Sequence, residues 1–248
     1  KKNPIILLHG IGGNSLSNIS LQKFLSKNRK VISFDIPGNG FSDNIKNKTK
    51  ISSYSKNLIL ILNKLKIKKT SLIAFDASAS LAISSLNSYP SMFESLILIK
   101  PIILNKNQKK NFIHNFFPNL KPNHHGTQLN TAWNFLMDSK LFWPWFKGGE
   151  GNIRDLSTYR TPKKHHQAFI QLMTASESYH YYSKACFSFN QEDIRNKIYN
   201  KTLLLGNKND LVDRYRNNII KTFEKSEQIE IPITENKISK YIDKFLEQ

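Results

Sequence analysis

The chain has very few residues of the kinds that mark secreted or membrane proteins. Only one cysteine, Cys186, occurs in the 248 residues, which excludes an intrachain disulfide and fits a reducing compartment. No apolar run approaches the ~20 residues that a membrane-spanning helix needs, so we expect no membrane span. No signal peptide is visible ahead of the first apolar segment, and we therefore expect a cytoplasmic protein.

Acidic residues are also scarce: 18 aspartates and glutamates face 37 lysines and arginines, giving a formal net charge of +19. Such an excess would ordinarily point to nucleic acid or to an anionic membrane surface. Here 31 of the 37 basic residues are lysines, dispersed among asparagine, isoleucine and serine. That distribution is typical of a solvated surface, so we expect no nucleic-acid partner.

Apolar segments alternate regularly with amphipathic ones through most of the chain. Because the strands are continuously apolar, the pattern predicts an α/β fold with a mostly parallel central sheet flanked by helices. Strands are predicted near 4–8, 30–35, 70–75, 95–100, 201–205 and 227–231, and helices near 16–27, 53–66, 77–88, 212–224 and 235–247.

The segment 71–82 carries the clearest functional signal. An apolar strand runs into a turn of small residues and continues as a helix rich in alanine and serine. This is the layout of a nucleophile elbow, which needs small residues at Ala74 and Ser78 because strand and helix nearly touch there. The residue at the tip is Asp76, whose carboxylate can attack an electrophilic carbon directly.

Two further segments match the same architecture. Residues 4–13 form an apolar strand that ends in His-Gly-Ile-Gly, and residues 31–43 form a strand that ends in Asp-Ile-Pro-Gly-Asn-Gly-Phe-Ser. With the elbow, these motifs resemble the α/β-hydrolase superfamily, in its Asp-nucleophile type. The resemblance implies that Asp76 is the nucleophile and that the backbone N–H groups of Ile11 and Ala77 form an oxyanion hole. It implies a small-molecule substrate, no cofactor and no metal.

The Asp-nucleophile branches of this superfamily are the haloalkane dehalogenases and the epoxide hydrolases. Both usually carry tryptophan directly after the nucleophile, where the indole binds halide in the dehalogenases. Here that position is Ala77, which has no side-chain donor. Dehalogenation is therefore a minor option, and an ester, lactone or epoxide-like substrate is favoured.

The alternation breaks between 102 and 200, a region rich in aromatic residues. The resemblance implies that residues 1–101 and 201–248 form the α/β-hydrolase core and that 102–200 form a helical lid over the active site. A helix is predicted to begin at Thr161 and to continue through Tyr182. We expect most of the aromatic residues to form a small core and a few to face an apolar substrate. His180 and Tyr179 are candidates for a contact with that substrate.

Asp210 follows the strand at 201–205 and a glycine. The resemblance implies that Asp210 is the acid that orients a catalytic histidine. The alternative is that Asp210 only caps the helix that follows it.

The histidine itself is missing. The window 228–236, where the family has its base, contains no histidine, and none follows His180 anywhere in the chain. An ester formed on Asp76 would then lack the base that normally activates water. Histidines of the predicted lid could substitute; they are His124, His125, His165, His166 and His180. The adjacent pair at 165 and 166 is a poor metal site, because neighbouring helix positions point ~100° apart.

These observations predict a hydrolase-type enzyme that acts on a small, largely apolar molecule. One alternative is a ligand-binding homologue with impaired or no turnover. Another is lyase or isomerase chemistry in which Asp76 serves as an acid or base.

Overall fold

The computed structural model describes residues 2–45, 47–154, 161–194, 198–230 and 235–248. In these residues six strands form one sheet, in the order β2-β1-β3-β4-β5-β6, and all five neighbouring pairs are parallel. The strands are β1 Ile5–Leu8, β2 Val31–Ser33, β3 Thr70–Phe75, β4 Phe93–Ile99, β5 Lys201–Gly206 and β6 Ser226–Glu230. The predicted parallel sheet is confirmed, with strand bounds within two residues of those expected.

The central strands are apolar throughout because both faces of the sheet are covered. Successive side chains of a strand point to opposite faces. Along β3, Leu72 belongs to one buried cluster and Ile73 to another on the opposite face. The same alternation joins Ile6 and Leu7 of β1 to these two clusters. Both faces therefore exclude water from the strands that carry the candidate site.

The described residues form eight α-helices: α1 Ile19–Leu25, α2 Ile51–Lys64, α3 Ala79–Ser88, α4 Lys106–Asn115, α5 Thr127–Leu141, α6 Pro162–Met173, α7 Tyr179–Phe187 and α8 Glu235–Glu247. Helices α1 and α8 pack on one face, where Leu21 and Ile242 are buried. Helices α2 and α3 cover the other face through Leu58 and Leu81. Among the described residues, none of the helices is both long and apolar enough to cross a membrane.

Helices α4 to α7 lie between β4 and β5 in the chain and share an aromatic core. Phe116 is central to this core, with ring centroids 5.2 Å from Phe187 and 5.5 Å from Trp143. Phe112 lies 5.5 Å from Phe146 and is buried. The aromatic residues of this region thus form a packed core, as expected.

Two helix predictions were wrong. The segment 212–224 is not an α-helix but two 3₁₀ segments, Leu211–Asn218 and Ile220–Thr222. This segment contains valine, tyrosine and two asparagines, which have low helix propensity. The Asn218 amide also donates to the carbonyl oxygen of Ile103 at 2.7 Å, so this residue is held by a tertiary contact.

The helix predicted from Thr161 through Tyr182 is interrupted. Helix α6 ends at Met173 and α7 begins at Tyr179. In the interruption the Ser178 hydroxyl donates to the carbonyl oxygen of Gly38 at 2.9 Å and lies 2.8 Å from Asn44 Oδ1. Polar side chains that bond elsewhere compete with a continuous helix, and here they fasten the chain to the loop after β2.

Candidate functional site

Asp76 lies at the carboxyl end of β3, where the strand turns into α3. Its φ is +49°, in the left-handed region that residues other than glycine rarely adopt. The chain then forms a 3₁₀ turn, Asp76–Ser78, before α3 begins. The N–H of Ile102, which follows β4, donates to the Asp76 carbonyl oxygen at 3.1 Å and holds this conformation. The strained turn is therefore fixed by a hydrogen bond from the segment that follows β4.

The loop after β1 approaches the Asp76 side chain. A Cβ added to Gly10 would overlap Oδ2 of Asp76, so this carboxylate lies against the Gly10 backbone. The Gly13 N–H donates to the Gly10 carbonyl oxygen at 3.2 Å and closes a turn around Ile11. The loop and the carboxylate are thus adjacent, while the oxyanion hole formed by Ile11 and Ala77 stays a prediction.

A chain of neutral hydrogen bonds lies behind the elbow. The Tyr182 hydroxyl of α7 donates to Ser78 Oγ at 2.7 Å, and the Ser78 hydroxyl donates to the His9 carbonyl oxygen at 2.5 Å. All three residues are buried. These hydrogen bonds join helix α7 to the elbow and to the loop after β1.

The ring of His9 is a structural part of the same loop. Its Nε2 accepts from the Ile36 N–H at 3.1 Å, so Nδ1 carries the proton and donates to the Gly10 carbonyl oxygen at 3.0 Å. Burial lowers the pKa of His9 to about 4. A neutral imidazole with both nitrogens engaged positions the loop rather than reacting.

Asp210 is fully buried and is bound by two cations. Its Oδ2 lies 2.8 Å from Lys100 Nζ and 2.9 Å from Arg154 Nη2, while Arg154 Nε donates to Oδ1 at 3.2 Å. Burial alone would raise the pKa of Asp210, but Lys100 and Arg154 outweigh it and lower that pKa to about 2. The Val212 N–H also donates to Oδ1 at 3.2 Å, so Asp210 caps the 3₁₀ segment that follows it in addition to binding the two cations.

Lys100 and Arg154 were not identified from the sequence. Lys100 directly follows β4 and has a φ of +48°. Since Phe75 pairs with Ile99, Lys100 and Asp76 occupy equivalent places on neighbouring strands. A charged residue at the carboxyl end of a buried strand was the available signal for Lys100. Arg154 lies 56 residues from Asp210 and had no local signal.

The profile of the alpha/beta hydrolase fold family matches residues 3–232. The chain belongs to this family. Solved structures resemble this chain along its whole length. The alignment with an esterase from Thermogutta terrifontis covers 100% of this chain and 90% of the esterase, with 16% sequence identity and a TM-score of 0.78. A hydrolase from Pseudomonas aeruginosa PA01 has 16% identity, coverage of 100% and 91%, and a TM-score of 0.79.

The enol-lactonase from Burkholderia xenovorans LB400 is 13% identical, with coverage of 100% and 92% and a TM-score of 0.79. None of the curated proteins matches this sequence. At such identities the likeness establishes the α/β-hydrolase fold that the motifs predicted. The assignment of this chain to the Asp-nucleophile type stays a prediction.

The two residues of α7 predicted to contact substrate differ in their surroundings. Tyr179 is buried, and its hydroxyl donates to the Pro118 carbonyl oxygen at 2.8 Å, a contact within the region between β4 and β5. His180 is half-buried, and its ring lies 4.2 Å from that of Tyr181. Burial and then the Lys184 charge lower the pKa of His180, which keeps this imidazole neutral near pH 7. A role for His180 as the base therefore stays a prediction.

The other histidines of the predicted lid lie in two kinds of environment. His165 is buried edge-on against Trp133, with ring centroids 4.3 Å apart. His124, His125 and His166 are exposed. Residues 231–234, in the window where this α/β-hydrolase lacks the family's histidine, lie outside the described residues. In the part of the chain that the structure describes, no group of three or more histidine, cysteine or acidic side chains could hold a metal ion.

Proposed function

We propose that this α/β-hydrolase is a hydrolase-type enzyme that acts on a small, largely apolar molecule with an ester, lactone or epoxide-like group. Asp76 is its nucleophile. The observation that carries the proposal is the left-handed conformation of Asp76 at the end of β3, with its carboxylate against Gly10. A left-handed backbone at a residue other than glycine costs free energy, and such residues cluster at functional sites.

The chemistry of an epoxide illustrates what this arrangement can do. An ionised Asp76 oxygen attacks a ring carbon, the ring C–O bond breaks, and an ester forms on the enzyme while the released oxygen takes up a proton. Water then attacks the ester carbonyl and releases the diol. Backbone N–H groups of Ile11 and Ala77 would stabilise the oxyanion of this second step.

The region between β4 and β5 supports an apolar substrate. Leu172 of α6 is fully buried, and a Cβ added to Gly12 would lie 2.9 Å from its Cδ1. Helix α6 thus packs directly on the loop that faces Asp76, as a lid would. Phe117, Trp145 and Phe146 of the same region are only partly buried and can offer apolar surface to a ligand.

The test is turnover of small aryl esters, lactones and epoxides by the purified protein. We expect product with the wild type and loss of product with Asp76→Asn, which keeps the side chain's size but removes the nucleophile. Asp193→Asn, at an exposed aspartate, is the matched control and should retain turnover. Equal turnover by wild type and Asp76→Asn would contradict the proposal.

A second candidate is a ligand-binding homologue with impaired turnover. The observations that favour it are the absence of histidine after position 180 and the engagement of Asp210 by two cations. Such a protein would give no product, yet apolar ligands should raise its melting temperature, since a ligand bound only by the folded state stabilises it. Multiple turnover that requires Asp76 would exclude this candidate.

A further inference from the structure

The ion cluster beside the candidate site contains one more cation than anion. Lys100 and Arg154 share the single carboxylate of Asp210, so the three side chains carry a net charge of +1. Arg154 also donates to the Ser139 carbonyl oxygen at 2.6 Å, and its guanidinium lies 5.6 Å from the Trp143 ring. Three of the five N–H groups of Arg154 thus have partners, and its side chain is 6% exposed.

Lys100 makes fewer hydrogen bonds than Arg154 does. Within the described residues its ammonium has one hydrogen-bond partner, Asp210, although an ammonium has three N–H donors. The Lys100 side chain is 15% exposed, against 0% for Asp210. Both cations thus keep N–H donors for another group within the described residues, and Lys100 is the more exposed of the two, at 15% against 6% for Arg154.

The fold places Lys100 beside Asp76. Neighbouring parallel strands are about 4.8 Å apart, and these two residues follow the paired residues Phe75 and Ile99. Both adopt left-handed φ values where their strands end. The hydrogen bond from the Ile102 N–H to the Asp76 carbonyl oxygen ties the two strand ends together. A lysine side chain can span the distance between adjacent strands.

The chemistry of the two cations differs in one respect that matters here. A guanidinium stays protonated at any pH that the protein withstands, whereas an ammonium can give up a proton and take it back. Arg154 can therefore hold Asp210 permanently, while Lys100 can exchange a proton.

We propose that Lys100 transfers the protons in the reaction of Asp76 and so takes the place of the missing histidine. The inference rests on the proposed function. In the first step Asp76 opens an epoxide and forms the ester, and the Lys100 ammonium gives its proton to the released alkoxide. In the second step the neutral amine of Lys100 takes a proton from water as the water oxygen attacks the ester carbonyl. The ester C–O bond breaks, the diol leaves with the remaining water proton, and Asp76 and Lys100 return to their charged forms.

Two variants separate these steps. Lys100→Arg keeps the positive charge and the ion pair with Asp210 but cannot supply a neutral base. Lys100→Met removes both functions and leaves Asp210 paired with Arg154. The matched control is Lys109→Met, at a partly buried lysine of α4 that bonds Asn190 and lies outside the proposed site. Circular dichroism melting curves establish that each variant folds.

Styrene oxide is the probe, followed by diol release and by intact-protein mass. We expect wild type and Lys109→Met to release diol with little adduct. Lys100→Arg should accumulate one styrene oxide mass on Asp76 and release diol at least about 100-fold more slowly, as expected for loss of a general base. Lys100→Met should also lose diol release and should form the adduct more slowly.

The experiment distinguishes a failure of the role proposed for Lys100 from a failure of the proposed function. Diol release by Lys100→Arg and Lys100→Met within about threefold of wild type, with Asp76→Asn inactive, would overturn the role of Lys100 and leave the proposed function standing. A stable adduct on the wild type itself would also overturn that role. Neither diol nor adduct with wild type would overturn the proposed reaction on epoxides, and the proton transfers with it.

Discussion

The two sides of Asp76 are fastened by different kinds of contact. On the elbow side, Tyr182, Ser78 and His9 form neutral hydrogen bonds between groups that have no net charge. On the acid side, Asp210 is held by the charges of Lys100 and Arg154. Neutral hydrogen bonds contribute modestly to stability, whereas a buried charge that loses its partner is costly. The acid side should therefore be the more sensitive to substitution.

The largest effect is expected for Asp210→Ala. This change leaves the cations of Lys100 and Arg154 close together without an anion, and such breaks cost about 3–5 kcal/mol of unfolding free energy. Urea denaturation at pH 7 measures this loss of unfolding free energy, and Asp193→Ala, at an exposed position, is the control. A loss below about 1 kcal/mol would mean that water reaches the cluster, contrary to its burial.

The second-largest effect is the pH dependence of the unfolding free energy that His9 contributes on the elbow side. Because the folded-state pKa of His9 is about 4 and its ordinary value is 6.5, the unfolded chain binds more protons between these values. Stability should therefore fall as the pH is lowered from 6.5 to 4, by about 3 kcal/mol from this residue. The measurement is the difference in unfolding free energy between wild type and His9→Gln at each pH. That difference should shrink on acidification, and a constant difference would contradict the assignment.

A third, smaller effect tests packing near the acid side. A Cβ added to Gly206 at the end of β5 would overlap Oδ1 of Asp213 and lie 2.7 Å from its Cγ. Asp213 is buried and paired with Arg216 at 2.8 Å, so Asp213 has little room to move. We expect Gly206→Ala to cost about 1–3 kcal/mol. Gly151→Ala, where an added Cβ meets nothing within 4 Å, should change the melting temperature little.

The smallest effect is expected for Tyr182→Phe. This variant loses the hydrogen bond to Ser78 Oγ but keeps the ring packing against Tyr54 at 5.0 Å, so about 1 kcal/mol is expected. Tyr181→Phe, at a half-buried neighbour on the same helix, is the control. If Tyr182→Phe proved as damaging as Asp210→Ala, the contrast between the two sides would be wrong.

The elements nearest the site were the most predictable from sequence. Strand β3 and the turn at Asp76 were found because apolar residues, small residues and a carboxylate follow one another within a dozen positions. Helix α8 was predicted with its observed bounds. Such signals are local, and local patterns survive without knowledge of the tertiary structure.

Long-range contacts explain what could not be predicted. Asp210 was identified as an acid, but its pairing with Arg154 depends on how the region between β4 and β5 folds back onto the sheet. The break between α6 and α7 depends likewise on the bond from Ser178 to the distant Gly38. Propensity over a short window cannot register either contact, because the partner lies more than 50 residues away.

The pairing of Arg154 with Asp210 limits how freely this family member could exchange parts with its relatives. A chimera that replaced residues 102–200 by the corresponding segment of another α/β-hydrolase would keep Lys100 and Asp210 but lose Arg154. The recipient would be left with a simple pair, and its net charge beside Asp76 would fall from +1 to zero. Transplanting the segment to change substrate preference would therefore also change the electrostatic field at the Asp76 carboxylate, unless an arginine were carried over with it.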